Sequence, residues 1–172
     1  MNKLFSIKRL CRAGVIAACY VALSYAFGAL SYQGVLQIRP AEALCLLPLL
    51  YVEAVPALWI GCMLANLGSP FFVYDVLLGS AVTLVASFVT YLVGRLIRNR
   101  GKYFLGGLAP VLLNAAIIPV IIVFLCGGNE ASVVAYFVCA GSLLFTEAVW
   151  VYGLGVPLVC ALEKWNKGKE RI

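Results

Sequence analysis

Ionisable and amide side chains are scarce in this chain, and their positions decide what chemistry it can do. Gln37, Arg39 and Glu42 gather at the head of the apolar run 41–50, while Asn66, Asp75, Asn114 and Glu147 stand singly in later apolar stretches. A carboxylate accepts hydrogen bonds and can take two parallel N–H donors at once, and an amide offers both donors and acceptors. Such a set suits recognition of a flat, donor-rich molecule, neutral or cationic. It does not suit catalysis: the chain has no histidine, so the commonest general base and the commonest metal ligand are both missing. No lysine lies inside the apolar spans, which leaves an intramembrane enzyme without a nucleophile and base or a metal.

Each of these residues also has a purely local reading. Arg39 and Glu42 are three apart and can pair with each other. Asp75 can cap the positive end of a helix dipole. Asn66 and Asn114 can be hydrogen-bond glue between helices. Glu147 differs, because LLFTEAVWVYGLG holds no basic residue; it needs a remote partner, a proton or a ligand donor. Aromatic residues crowd the same stretches. Tyr32, Phe71 and Phe72 read as interfacial belt, while Tyr74, Trp150 and Tyr152 offer ring faces to a ligand.

The elements that position these residues follow from composition. The chain of 172 residues is 64% hydrophobic and 12% charged, more apolar surface than one soluble core hides. It reads as a single integral membrane domain, 1–172. Seven cysteines without CxxC spacing are small apolar fillers, not a disulfide framework or zinc site. The net charge of +6 is no nucleic-acid stripe. The basic residues form three clusters: Lys3, Lys8, Arg9, Arg12; Arg95, Arg98, Arg100, Lys102; and Lys164, Lys167, Lys169, Arg171. By the positive-inside tendency all three are cytoplasmic, as are both termini.

An apolar run over 13–32 reaches the ~20 residues that cross a bilayer and is too long for a signal-peptide core. Further spans are expected near 75–94, 105–125 and 134–162. Parity then requires the short apolar stretches 40–51 and 54–67 either to cross twice or to form a re-entrant pair. The preferred reading is an all-α bundle of six transmembrane helices with helices two and three short. Pro40 suits the first turn of the second, with Glu42 favoured by that helix's dipole. On this topology the polar residues, with Asn129 and Glu130 of the last loop, lie on the side away from the basic clusters and form an outward-facing cavity. On helix one, Gly14, Ala18, Ala22 and Ala26 recur every fourth residue, flanked by Ala13 and Ala17. Such a ladder admits close approach of another helix, from its own bundle or from a separate membrane protein.

Gln37-Ile38-Arg39-Pro40-Ala41-Glu42-Ala43-Leu44 with Leu47-Pro48 resembles the glutamine, arginine and glutamate-alanine-leucine signature of the QueT family. Gly61-Cys62 with Ala65-Asn66, Asp75 followed by Gly79-Ser80 and Thr83-Leu84, and Asn114 agree in order, so the resemblance spans nearly the whole chain. Pro40 departs from it, standing where a small polar residue is expected. The resemblance implies an S component of an energy-coupling factor transporter in the bacterial cell membrane. Such a subunit is a six-helix bundle that captures its ligand from outside and works with a transmembrane coupling protein and two cytoplasmic ATPases. ATP is used by those partners and no cofactor is bound by this chain. The small-residue face of helix one would dock on the coupling protein. The implied ligand is a queuosine precursor of the 7-deazaguanine class: 7-aminomethyl-7-deazaguanine, its cyano form, queuine or the nucleoside. Glu42 or Glu147 would read its N1–H and 2-amino edge, Asp75 or the other glutamate would meet an exocyclic ammonium, and Asn66 and Gln37 would trim specificity. Arg39 would orient Glu42. Another flat vitamin-like heterocycle, or a non-transport assembly role, are the alternatives.

Overall fold

The computed structural model describes residues 6–31, 37–70, 72–125 and 132–169. Lys3, Tyr32, Phe71, Asn129, Glu130 and Arg171 lie outside them. The described residues form four helices long and apolar enough to cross a membrane: α1 (Ile7–Phe27), α3 (Phe72–Leu96), α4 (Gly101–Leu125) and α5 (Val133–Gly168). Two shorter apolar ones lie between α1 and α3, a 3-10 helix over Pro40–Leu49 and α2 over Ala54–Asn66.

The long helices begin or end beyond the apolar limits read from sequence. α1 starts at Ile7 rather than 13, α4 at Gly101 rather than 105, and α5 runs to Gly168 rather than 162. The added turns carry basic residues, whose long stems let a helix continue while the charge reaches water.

The Pro40–Leu49 helix is the axis of the bundle. All ten of its residues are buried, and it packs against every long helix as well as α2. Pro40 starts it, as proline can start any helix, and Pro48 removes one α-helical hydrogen bond near its end. A 3-10 helix has three residues per turn, so side chains at i and i+3 eclipse. The segment therefore has three straight edges. Glu42, Cys45 and Pro48 form one; Ala41, Leu44 and Leu47 a second; Ala43, Leu46 and Leu49 a third. At ~2.0 Å per residue it also reaches ~20 Å, against ~15 Å for ten α-helical residues.

Glycines on the surrounding helices let them close on this axis. A Cβ at Gly155 would stand 2.7 Å from the Ala43 carbonyl oxygen, and one at Gly94 2.9 Å from the Leu49 backbone. One at Gly106 would meet the Leu49 side chain at 2.9 Å. All three face the Ala43–Leu46–Leu49 edge. In a bilayer, where burial from water drives little association between helices, such backbone approach is what packs them. Gly61 does the same for α1, its missing Cβ lying 3.2 Å from the Ala17 carbonyl oxygen.

Three π-helical turns interrupt the long helices, at Asp75–Gly79, Ile121–Leu125 and Val149–Gly155. The last precedes Pro157, whose ring clashes with the carbonyl of Gly153 and opens the turn. In the first, hydroxyls take over loosened carbonyls: Ser80 donates to Val76 and Thr83 Oγ1 to Gly79 at 3.2 Å.

Ion pairs collect at one end. Arg12 meets Glu53 at 2.6 Å and Lys102 meets Glu163 at 3.0 Å, and Asn166 Nδ2 donates to Tyr51 Oη at 2.6 Å. The 3-10 helix thus runs to this end, and α2 returns from it to Asn66, beside Asp75. Of the small-residue ladder, Gly14, Ala18, Ala22 and Ala26 are exposed and face away from the bundle, while Ala13 and Ala17 pack on the core.

Gly155→Ala is expected to lower the unfolding midpoint in detergent by the equivalent of about 1–3 kcal/mol of overpacking. Gly141→Ala, with nothing within 4 Å of the added atom, should be neutral or stabilising by up to about 1 kcal/mol.

Candidate functional site

The edge of the 3-10 helix that carries Glu42 turns toward α1 and α4, and three elements converge on its carboxylate. Tyr20 Oη on α1 donates to Oε1 at 2.7 Å, and Cys45 Sγ, one 3-10 turn along, donates to Oε2 at 2.9 Å. Asn114 Nδ2 of α4 reaches Oε2 at 3.5 Å and Glu147 Oε1 of α5 at 3.2 Å. One amide nitrogen thus bridges two carboxylates. Glu42, Asn114 and Glu147 are 1%, 3% and 2% exposed, so the pairing takes place away from solvent.

The two carboxylates are not equally served. Glu42 has three donors; Glu147 has one, shared with Glu42. Among the described residues Glu147 Oε2 has no hydrogen-bond partner, and neither has Gln37 Oε1, also buried. An unmet acceptor in a dry interior costs about 1–3 kcal/mol. As a carboxylate oxygen and an amide carbonyl oxygen, both accept, and a donor would satisfy them.

Arg39 is placed differently from a simple partner of Glu42. Its Nε donates to the Ser31 carbonyl at 3.0 Å, and direct donors to Glu42 come from Tyr20, Cys45 and Asn114. A narrow pocket beside it, lined by Tyr20, Ser24, Ser31, Arg39, Ala41 and Asn66, leaves about 10 Å³ for water centres. That is room for one water.

Asp75 and Asn66 form a second, adjoining cluster. Ser69 Oγ donates to Asp75 Oδ2 at 2.5 Å, and Asn66 Nδ2 donates to the Asp75 carbonyl at 2.8 Å. These bonds close the turn between α2 and α3 and start the π-helical turn, so Asp75 has a local donor. Cys62 completes the cluster, contacted by Asn66 Nδ2 at 3.4 Å and Thr83 Oγ1 at 3.3 Å.

The aromatic residues join less well than their sequence positions promise. Tyr74 is 43% exposed: it precedes buried Asp75 by one residue, about 100° around the helix, and so points off the bundle. Trp150 is half-buried and meets Phe27 edge-on, with centroids 6.4 Å apart. Tyr152 stacks on Phe104 at 5.6 Å and donates to its carbonyl, apart from the glutamates. Tyr20, Cys45 and Ser69 were missed as site residues. A signal for Tyr20 existed, since Ile16, Tyr20 and Ser24 recur at helical spacing on the face of α1 that buries.

The family model of the QueT transporter matches residues 10–164. No curated protein and no solved structure matches the chain.

Asn114→Ala removes the donor shared by two buried carboxylates and is expected to lower stability in detergent by about 2–4 kcal/mol. Thermal unfolding followed by tryptophan fluorescence reads the loss; an unchanged midpoint would show that the bridge carries no weight.

Proposed function

The chain belongs to the QueT transporter family, and on that premise we propose that it is the substrate-capture subunit of an energy-coupling factor importer for a queuosine precursor. It is a membrane protein of a transporter family, not of an enzyme family. In the proposal all six apolar helical runs cross the bilayer, with both termini cytoplasmic. The ligand enters from outside, and a transmembrane coupling protein with two ATPases uses ATP to bring it inward.

The observation that supports this reading is the Glu42–Asn114–Glu147 bridge with an unmet acceptor on Glu147. A 7-deazaguanine presents N1–H and a 2-amino group side by side, two donors that match a carboxylate. Glu147 Oε2 and Gln37 Oε1 have acceptor capacity to spare, whereas Glu42 is held in place by its donors. Glu147 is therefore assigned to the ligand's donor edge and Glu42 to the positioning of Asn114. Glu42, Glu147 and Asp75 are three buried acids in a region with Arg39 as its one basic residue among those described, so a ligand with an exocyclic ammonium, such as 7-aminomethyl-7-deazaguanine, meets compensating charge, with Asp75 assigned to it beside the glutamates. Trp150 supplies a ring face one turn beyond Glu147, and Asn66 sits at the edge of the pocket. The exposed ladder Gly14, Ala18, Ala22 and Ala26 is assigned to the coupling protein, since it is directed away from its own bundle.

Glu147→Gln is expected to weaken binding of 7-aminomethyl-7-deazaguanine by about tenfold or more, the worth of one charge-assisted hydrogen bond. Calorimetry on the folded variant checks it, and unchanged affinity would make Glu147 structural. Ala18→Leu with Ala22→Leu should abolish co-purification with the coupling protein and spare ligand binding; an intact complex would reject the docking face.

A further inference from the structure

At the charged end of the bundle, the turn between α3 and α4, the first turn of α4 and the last turns of α5 enclose a pocket of about 520 Å³. Arg98, Arg100, Lys102, Lys164 and Lys167 line it, with Glu163 as the single carboxylate of the lining among the described residues. That carboxylate is already engaged. Lys102 Nζ reaches its Oε2 at 3.0 Å, Tyr103 Oη donates to the same oxygen at 2.5 Å, and Lys167 Nζ reaches Oε1 at 3.1 Å. Among the described residues, no carboxylate lies within ion-pair distance of Arg98, Arg100 or Lys164. Among the described residues, three cations therefore face one space without a counter-ion.

The other basic pocket at this end, about 310 Å³ around Arg9, Arg12 and Arg95, is built differently. Arg12 is paired with Glu53 and lies over the Tyr51 ring at 4.1 Å, and Arg95 donates to Tyr91 Oη at 3.1 Å. An arginine fork fits two phosphate oxygens, and a lysine adds a point charge. Directly after Lys102 and Tyr103 on α4, Phe104 and Leu105 are 60% and 41% exposed. The apolar outer face begins where the cations end, which is the pattern of an amphiphile rather than of a free anion.

The geometry points to a binding site for one anionic glycerophospholipid, its phosphate among Arg98, Arg100 and Lys164 and its acyl chains along the exposed face of α4. This site is separate from the Glu42–Glu147 centre, and neither depends on the other. The net charge of the headgroup decides binding, so phosphatidylglycerol is held and zwitterionic phosphatidylcholine is not.

The test is titration of the full chain in a neutral detergent with dihexanoyl phosphatidylglycerol, dihexanoyl phosphatidylcholine and inorganic phosphate, read by calorimetry. Saturable binding of one phosphatidylglycerol per chain is expected, with no comparable binding of the other two. Arg98→Gln, Arg100→Gln and Lys164→Gln together should weaken it by about a hundredfold, each charge contributing about fivefold. Arg9→Gln and Arg95→Gln of the other basic pocket together with Lys8→Gln, the same total loss of charge, should change it less than about fivefold. Should the first triple variant not fold, Lys164→Gln alone is expected to cost about fivefold, and the wild-type titration stands without any variant. Absence of saturable phosphatidylglycerol binding, equal binding of inorganic phosphate, or equal loss in the control triple would each overturn the site.

Discussion

Burial of the Glu42 carboxylate on the bundle axis is the constraint around which the rest is arranged. A carboxylate at 1% exposure in a membrane interior is tolerable only when its oxygens are occupied. Tyr20 from α1, Cys45 from its own helix and Asn114 from α4 occupy them, so α1 and α4 are fixed relative to the axis by the needs of one side chain. Asn114 then draws Glu147 in, and α5 with it. The polar network specifies how the helices are set; the apolar contacts around Leu44, Leu46, Leu58 and Val151 fill the space that arrangement leaves.

A 3-10 axis makes this possible. With three straight edges, the segment offers Glu42 and Cys45 to α1 and α4, while Ala43, Leu46 and Leu49 meet glycines of α3, α4 and α5. The shorter turn also extends ten residues far enough to link the polar centre to the ion-paired end. Long 3-10 runs are uncommon because their hydrogen bonds are strained. Here Pro48 removes one α-helical hydrogen bond late in the run, and neighbours on every side hold the 3-10 form.

Much of this was legible in the residues. An all-helical membrane protein with long apolar helices follows from hydropathy; the sequence places Glu42, Asn114 and Glu147 around an open outward-facing cavity, whereas they meet in a dry contact. The 3-10 geometry was not legible, since its cause lies in tertiary contacts with glycines far along the chain. Tyr20 was missed for a related reason: a tyrosine in an apolar helix reads as bulk until its hydroxyl is seen to have a buried acceptor. Tyr74 shows the opposite case: its residue type suits a ligand, but helix rotation turns it outward.

The central claim is that a dry pair of glutamates bridged by one amide receives the donor edge of a deazaguanine. Isothermal titration of the purified chain with 7-aminomethyl-7-deazaguanine, 7-cyano-7-deazaguanine and queuine, against thiamine and riboflavin, tests it most directly. Saturable binding confined to the deazaguanines is the predicted result. Saturable binding of thiamine or riboflavin with none of any deazaguanine would contradict it.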